Sequence, residues 1–259
     1  MSTIDIADDD AVRTIAINRP ERRNALNFNT LVLMREAIAS ARASTALRAL
    51  VITGRGGAFS SGADVREWAE QKATGERAGD WVGEAIQLIQ DVYDFPKPTI
   101  AMIDGAATGA GLDLALACDF RFASDRGRFI CSYTRIGYSP DAGSSWFLPR
   151  LIGLERAKRF VYSGEAWTAD AALANGLVTE VHAQAALPEA TMAFARRLAA
   201  GPTVAIGQAK ALLDNAHRRS LPEALREEQK SGKICAATED HHEGLAAVNE
   251  KREPRFVGR

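Results

Sequence analysis

The stretch Thr99-Ile100-Ala101-Met102-Ile103-Asp104-Gly105-Ala106-Ala107-Thr108-Gly109-Ala110-Gly111-Leu112-Asp113-Leu114-Ala115-Leu116-Ala117-Cys118-Asp119 sets an apolar run, a glycine-rich turn and a second apolar segment end to end. The run Thr99–Ile103 has strand length and predicts a strand covered on both faces. Leu112–Cys118 predicts a helix that is apolar on nearly every side, and such a helix must lie in a core. Asp113 therefore carries a carboxyl into that core. An unpaired buried carboxylate costs several kcal/mol or takes up a proton. Asp113 thus needs a partner in the core or a role in a site. Asp119, at the helix end, is read as structural, because it can satisfy nearby backbone donors.

Upstream, Thr14–Ile17 predicts a short strand stopped by Asn18-Arg19-Pro20. Asn27 or Asn29 can cap a helix whose residues Leu31, Met34, Ile38 and Ala41 recur at helical spacing. Ala49–Thr53 is another continuous apolar run, ended by Gly54. Asp64-Val65-Arg66-Glu67 has the shape of a capping box and predicts a helix start. Trp81, Ala85, Leu88, Ile89 and Val92 make a further apolar helix face. Trp68 and Trp81 are assigned to the core in preference to a pocket wall formed by residues 66–95.

Downstream, Phe120 and Phe122 flank Arg121 in a short alternating strand. Past residue 143 helices follow one another over 143–151, 154–162, 168–175, 186–200, 203–216 and 221–237. Leu177–His182 is the one strand predicted there, and Pro202 sits where a first-turn proline belongs. The basic stretch Lys251–Arg255 reads as a surface tail. Strands alternating with helices early, and helices alone late, predict an α/β core with a C-terminal helical part.

With 259 residues, 46% of them apolar and 25% charged, the chain is long enough for a large core. Thirty-two Lys and Arg against 33 Asp and Glu leave a formal charge of -1, so no bulk attraction to nucleic acid or membrane is expected. No apolar run approaches the roughly 18 residues of a membrane span, and the acidic N-terminus has no export-signal core. Cys118, Cys131 and Cys235 form no Cys-x-x-Cys pattern, which points to a reducing cytoplasm. All four histidines follow residue 180, against a HExxH zinc site. Gly54-Arg55-Gly56 fails as a dinucleotide fingerprint because Phe59 stands in place of the third glycine. Gly57 and Gly62 have phosphate-loop spacing, but Ala63 replaces the required lysine. Gly109-Ala110-Gly111 fails at Leu114. A nucleotide cofactor is not expected.

Two glycine turns remain, 56–64 and 105–113, each between a strand and a helix. Amides at a helix start lack internal partners and carry positive partial charge. Two of them converging on one point make an oxyanion hole. Tight packing alone would also call for such glycines. Asp141, in Ser139-Pro140-Asp141-Ala142-Gly143, fits equally a helix N-cap or a functional acid.

Taken in order, Asn18–Asn27, Ala58–Val65, Gly105–Asp119, Ile136–Gly143 and Thr168–Val178 resemble the crotonase superfamily, the enoyl-CoA hydratase/isomerase family. The resemblance covers nearly the whole chain. It implies an α/β spiral of ββα repeats over residues 1–200 holding an acyl-CoA site. It also implies a C-terminal helical trimerisation region over 201–259, giving a homotrimer or a dimer of trimers. The substrate would be an acyl-CoA thioester, with coenzyme A as part of the substrate and no metal or redox cofactor. By position, the amides of Ser61 and Ala110 would hold the thioester oxygen. Arg23, Ala25, Leu26, Ala63, Asp64 and Val65 would lie along the CoA portion. Basic residues near Arg22 and in the tail are read first as solvated surface, with CoA phosphates as the alternative.

Hydratases of this family place one glutamate at Asp113 and another four residues before Gly137, where this chain has Tyr133. A phenol is protonated at neutral pH and cannot serve as a carboxylate base. Asp141 instead occupies the position of a catalytic acid in the family's isomerases. Dienoyl-CoA isomerases resemble the chain at Asp113 and Asp141, and phenylacetate-pathway isomerases at Pro140–Gly143 and Trp146. The resemblance therefore implies double-bond isomerisation, with Asp141 moving the proton and Asp113 as second acid/base or electrostatic tuner. Tyr133 joins the substrate-side residues. Hydration through Asp113 and water is the alternative. Aryl-CoA dehalogenation is disfavoured by the absence of a histidine in the first half. A non-catalytic acyl-CoA- or RNA-binding homologue is a further alternative, and neutral charge argues against RNA.

Overall fold

The computed structural model describes residues 2–67 and 79–259. Val12–Ile17 (β2) pairs antiparallel with Ile4–Asp9 (β1). The acidic outer face of β1 hid that strand from a reading based on apolar runs. Asn27 caps Phe28–Ala43 (α1), its side chain accepting from the Thr30 amide at 2.9 Å. Ala49–Gly54 (β3), Thr99–Ile103 (β4), Phe120–Ser124 (β6) and Glu180–His182 (β9) continue the sheet in parallel, in the order β1-β2-β3-β4-β6-β9. Leu50 and Ile52 of β3 join the larger core with α1, while Ala49 and Val51 point the other way. There they meet Leu187, Ala195 and Ala199 of Leu187–Ala199 (α7), a helix on the outer face of the sheet. Burial on both faces is why β3 is apolar without alternation.

A second, smaller sheet runs Ala106–Thr108 (β5), Arg128–Ile130 (β7), Ala166–Thr168 (β8). All three of its strands escaped the sequence reading, because each is short and next to a glycine turn or a helix cap. Trp81–Tyr93 (α2) buries Trp81, Ala85, Leu88, Ile89 and Val92, as its spacing predicts. Trp81 also donates from Nε1 to the Leu26 carbonyl at 2.8 Å. Ala110–Ala117 (α3) is buried at every residue. Residues 65–67 are helical, with Asp64 accepting from the Glu67 amide at 3.2 Å. Trp68 lies outside the described residues.

Ser144–Ile152 (α4), Leu154–Ser163 (α5), Ala169–Ala174 (α6), α7, Thr203–Asp214 (α8) and Leu221–Ala236 (α9) follow the helical stretches read from sequence. Three details differ. The strand expected over Leu177–His182 shortens to β9, because the amides of Leu177 and Val178 close the end of α6 on the Ala172 carbonyl. Pro202 stands one position ahead of the first turn, as N-cap of α8. A further helix, Glu239–Glu250 (α10), follows α9. Its charged composition carries little apolar signal. The tail after it is tied down: Arg252 pairs with Glu243 at 2.6 Å, and the amides of Val257 and Gly258 bind the Asp240 carboxylate. Asp119 is structural as expected, accepting from the Thr99 amide at 2.8 Å and pairing with Lys210 at 2.9 Å. No described helix is long and apolar enough to cross a membrane.

Asn24 organises the loops at residues 19–24 and 55–60. It is fully buried at φ 56°, and its side chain donates to the carbonyls of Arg55 (2.8 Å) and Ala58 (2.6 Å) while accepting from the Arg19 amide at 2.9 Å. Removing that amide leaves buried groups without partners, at about 1–3 kcal/mol each. Asn24→Ala is expected to lower unfolding free energy by at least about 3 kcal/mol, and Asn24→Gly by less, because glycine tolerates the positive φ. Urea unfolding of the two variants beside the wild type checks both the loss and the order.

Candidate active site

The first glycine turn is held between two others. Ser60 bridges Ala107 of β5 and Ala63 bridges Leu26, so residues 60–63 are held by one bridge on each side. Gly62 makes this possible. Its φ is 86°, and a Cβ there would meet the Thr108 carbonyl oxygen at 2.6 Å and the Ala110 nitrogen at 3.3 Å. The 61–63 main chain is thereby pressed onto the N-terminus of α3. Gly111 serves the same packing, since a Cβ on it would lie 2.6 Å from that of Ser60.

The two expected amide donors fare differently. Ala110 is the first residue of α3, where an amide has no helical acceptor. Ser61, however, already donates its amide to the Arg23 carbonyl at 3.0 Å. This corrects the expectation, because a donor engaged in the main chain is not free for a ligand. Among the described residues the Ala63 amide has no acceptor, because the bridge to Leu26 uses the Gly62 carbonyl and the Asp64 amide instead. The unengaged pair is Ala63 and Ala110. Resemblance alone had set Ala63 along the ligand.

Three other expected ligand contacts move into the core. Asp64 is buried and ion-paired with Arg19 at 2.9 Å, and Arg19 also holds the Ala25 carbonyl at 2.6 Å. Leu26 is buried among core side chains, with Ala25 buried beside it. These residues hold the turn in place and present no side chain outward. Arg23 and Val65 are exposed and Ala63 is half-buried, at the mouth of the same turn.

Asp113 is wholly buried. Its Oδ2 accepts from the Tyr133 hydroxyl and its Oδ1 from the Ser144 hydroxyl. Ser144, the first residue of α4 and itself fully buried, was missed in the sequence. Its only signal there is a place three residues after Asp141. Burial pushes the Asp113 carboxyl up to about 7, with Asp141 adding to the rise, against the pull of the Ser144 and Tyr133 hydrogen bonds. No basic side chain is among the groups acting on it. Burial also raises the Tyr133 phenol, as does the neighbouring Asp113.

Asp141 is not a helix cap, because Gly143 is the N-cap of α4. It is half-buried, and its Oδ1 is shielded from solvent with no hydrogen-bond partner. Burial raises its pKa and the Tyr133 hydroxyl lowers it. Asp141 lines a cavity of about 520 Å³ with Ile86, Ile89, Tyr93, Trp146 and Phe147. Trp146 meets Tyr93 edge-on at 5.2 Å and carries the Arg150 guanidinium 3.9 Å from its ring centre. Gln90, Asp94 and Arg218 also line the cavity, and a mainly aromatic and aliphatic chamber with a buried, unpartnered carboxyl oxygen in its wall suits a largely apolar ligand that exchanges a proton. A larger cavity of about 850 Å³, between the C-terminal ends of α1 and α2 and helix α8, shares Tyr93 and Asp94 with it but includes none of Asp113, Tyr133, Asp141 and Ser144. Its Lys97 and Lys210 are already tied to the Ser44 carbonyl and to Asp119.

The chain matches the model of the enoyl-CoA hydratase/isomerase family over residues 7–259. It is 35% identical over 259 residues to 2,3-dehydroadipyl-CoA hydratase of Escherichia coli (strain K12), covering 100% of both chains. It is 30% identical over 253 residues to 1,2-epoxyphenylacetyl-CoA isomerase of the same organism, covering 96% of this chain and 95% of that one. Among solved structures, enoyl-CoA hydratase from Bacillus anthracis shares the fold at a TM-score of 0.92 and 31% identity, over 99% of this chain and 100% of that one.

The raised pKa of Asp113 has a stability consequence of definite sign. Moving from 3.8 to about 7 on folding means that the folded chain binds this proton more tightly than the unfolded one. The stabilisation is complete below about pH 4 and is lost as pH rises through about 7. Asp113→Asn cannot ionise, so it is expected to exceed the wild type in stability by roughly 2–4 kcal/mol above neutral pH. The gap should close as pH falls to about 4. Thermal unfolding of both proteins across that range measures it.

Proposed function

Because the chain belongs to the enoyl-CoA hydratase/isomerase family and has its crotonase fold, we propose that it shifts a carbon–carbon double bond within an enoyl-CoA. The observation that carries this reading is the buried, unpartnered Oδ1 of Asp141 in an apolar cavity wall. The thioester oxygen is held by the amides of Ala63 and Ala110. Asp141 takes a proton from an acyl carbon, and the electron pair of the broken C–H bond moves through the conjugated system onto that oxygen. Hydrogen-bond donors aimed at the enolate stabilise it more than the neutral thioester, which is how they accelerate the step. The same carboxylic acid then returns the proton to a different carbon. One group suffices because donor and acceptor carbons lie within reach of one side chain.

The CoA portion follows Arg23, Ala63 and Val65 at the mouth of the first turn. Asp113 has no exposed surface with which to touch the acyl chain, so its part is to act on its neighbours. Hydration, the reaction named for the Escherichia coli relative, is the second reading. It would have to orient water with a phenol at the place of the family's second glutamate, and burial holds that phenol in its neutral form. The C-terminal helices expose Leu213, Leu221, Leu225, Leu245 and Val248, which supports the homotrimer expected of the family.

Incubation with 3-enoyl-CoA and 2-enoyl-CoA, followed by the absorbance of the conjugated thioester and by mass spectrometry, separates the readings. Interconversion without mass change is the expected result. Gain of water as the only product would replace isomerisation by hydration. Asp141→Asn should lower the isomerisation rate by about 10³-fold or more. Full activity in that variant would remove Asp141 as the base.

A further inference from the structure

Isomerisation as written uses Asp141 and two amides, and gives Asp113 and Tyr133 no direct step. Yet α3 buries Asp113 completely, with no cation acting on it. Its Oδ1 is taken by Ser144, so Oδ2 is the oxygen that faces the Tyr133 hydroxyl. The same hydroxyl also bears on Asp141, lowering its pKa against the effect of burial. One phenol therefore hydrogen-bonds one carboxyl group and bears on a second of the same sign.

We propose that Tyr133 is a positioning residue that couples Asp113 to Asp141, so that the two carboxyl groups hold one proton between them and Asp141 is left as the base. The inference rests on the reading of Asp141 as the base. Its reasoning is a count of protons. Tyr133 has a single O–H and can donate to one carboxyl at a time. If both carboxyls were ionised, one of them would face a phenol lone pair and a second negative charge. One added proton removes both repulsions. Asp113 then donates to the phenol oxygen, and the phenol donates to the Asp141 carboxylate. The proton settles on Asp113 because ionisation is least favourable where water is excluded.

Asp94 and Arg218, of opposite charge, also line the cavity at Asp141, whereas the other groups beside Asp113 are uncharged. Ser144 donates to Asp113 in either state, and burial pushes the nearby Cys131 thiol up to about 12, so it stays neutral. During turnover the proton that Asp141 takes from carbon is the one it gives back. The proton on Asp113 never leaves, so the cycle balances without a further donor. Two carboxyls sharing one proton is a known consequence of like charges held close. Here the sharing runs through a phenol, so the buried acid tunes the exposed one without touching substrate.

Two measurements test the coupling. Infrared difference spectra of resting enzyme at neutral pH, wild type minus Asp113→Asn, should contain the carbonyl stretch of a protonated carboxylic acid. Absence of that band overturns the proposal. No substrate is involved, so this result is independent of whether the enzyme isomerises or hydrates. In Tyr133→Phe, Asp141 loses its donor, and kcat/KM for whichever turnover the wild type performs should fall about 10²-fold. The acid limb of its pH profile should move about one unit or more to higher pH, with KM nearly unchanged. An acid limb that stays in place, whatever the rate, overturns the coupling. Activity of Asp141→Asn reports separately on the base itself.

Discussion

The candidate site depends on residues 60–63 being bridged to Ala107 at one end and to Leu26 at the other. That placement decides which amides are spent and which are free. The bridge to Leu26 consumes the Gly62 carbonyl and the Asp64 amide, and the loop at Arg23 consumes the amide of Ser61. Alternation along an extended chain then leaves the Ala63 amide facing away from Leu26. Gly62 brings it against the N-terminus of α3, where the missing Cβ is a geometric requirement. Arg19 and Asn24 hold the loops beneath, through carbonyls of residues 25, 55 and 58. A hole made this way is rigid before any ligand arrives, which is the condition for electrostatic stabilisation of a developing charge.

The second constraint is a negative charge with no positive one to answer it. Asp113 sits in a helix whose every residue is buried, and the groups around it are hydroxyls, a thiol and another acid. A cation there would stabilise the ionised carboxyl, and would also fix its charge. Hydroxyl partners serve both protonation states, because each can donate or accept. The core is therefore less stable once pH rises through about 7 and Asp113 ionises. Perturbed carboxyl pairs of this kind mark functional sites more often than structural ones.

Much of this was legible in the sequence where burial dictates composition. The runs Ala49–Thr53 and Thr99–Ile103 read as two-sided strands, α2 showed its apolar face, and Asp113 stood out as a charge in an apolar helix. What stayed hidden depends on main-chain geometry. Strands β5, β7 and β8 are three residues each, too short for a period of two to register. Which of Ser61 and Ala63 has a free amide is set by the register of a bridge, and side chains carry no trace of it. Ser144 looked like an ordinary first-turn serine until the path of α4 placed it on Asp113. Resemblance put Asp64 and Leu26 on the ligand side because whole motifs were carried over. The fold separates the residues of such a motif into those that face a ligand and those that hold it in place.

Replacing a second glutamate by Tyr133 changes what the pair of acids can do. Adding water across a double bond calls for two groups that exchange protons with the same water and carbon, and both must reach the substrate. Here one acid is sealed behind the phenol, and the phenol's proton is too strongly held to leave. In the proposed reaction Asp141 is then the one acid that exchanges a proton with the substrate. A single acid performs a 1,3-transfer well, because the proton it removes is already the proton it must deliver. It is poorly equipped for hydration, in which a second group must deprotonate the attacking water as carbon is protonated. The same substitution that weakens one reaction therefore suits the other, provided the sealed acid stays neutral enough to let Asp141 ionise. The hydroxyl between Asp113 and Asp141 is the part of the structure that meets this condition.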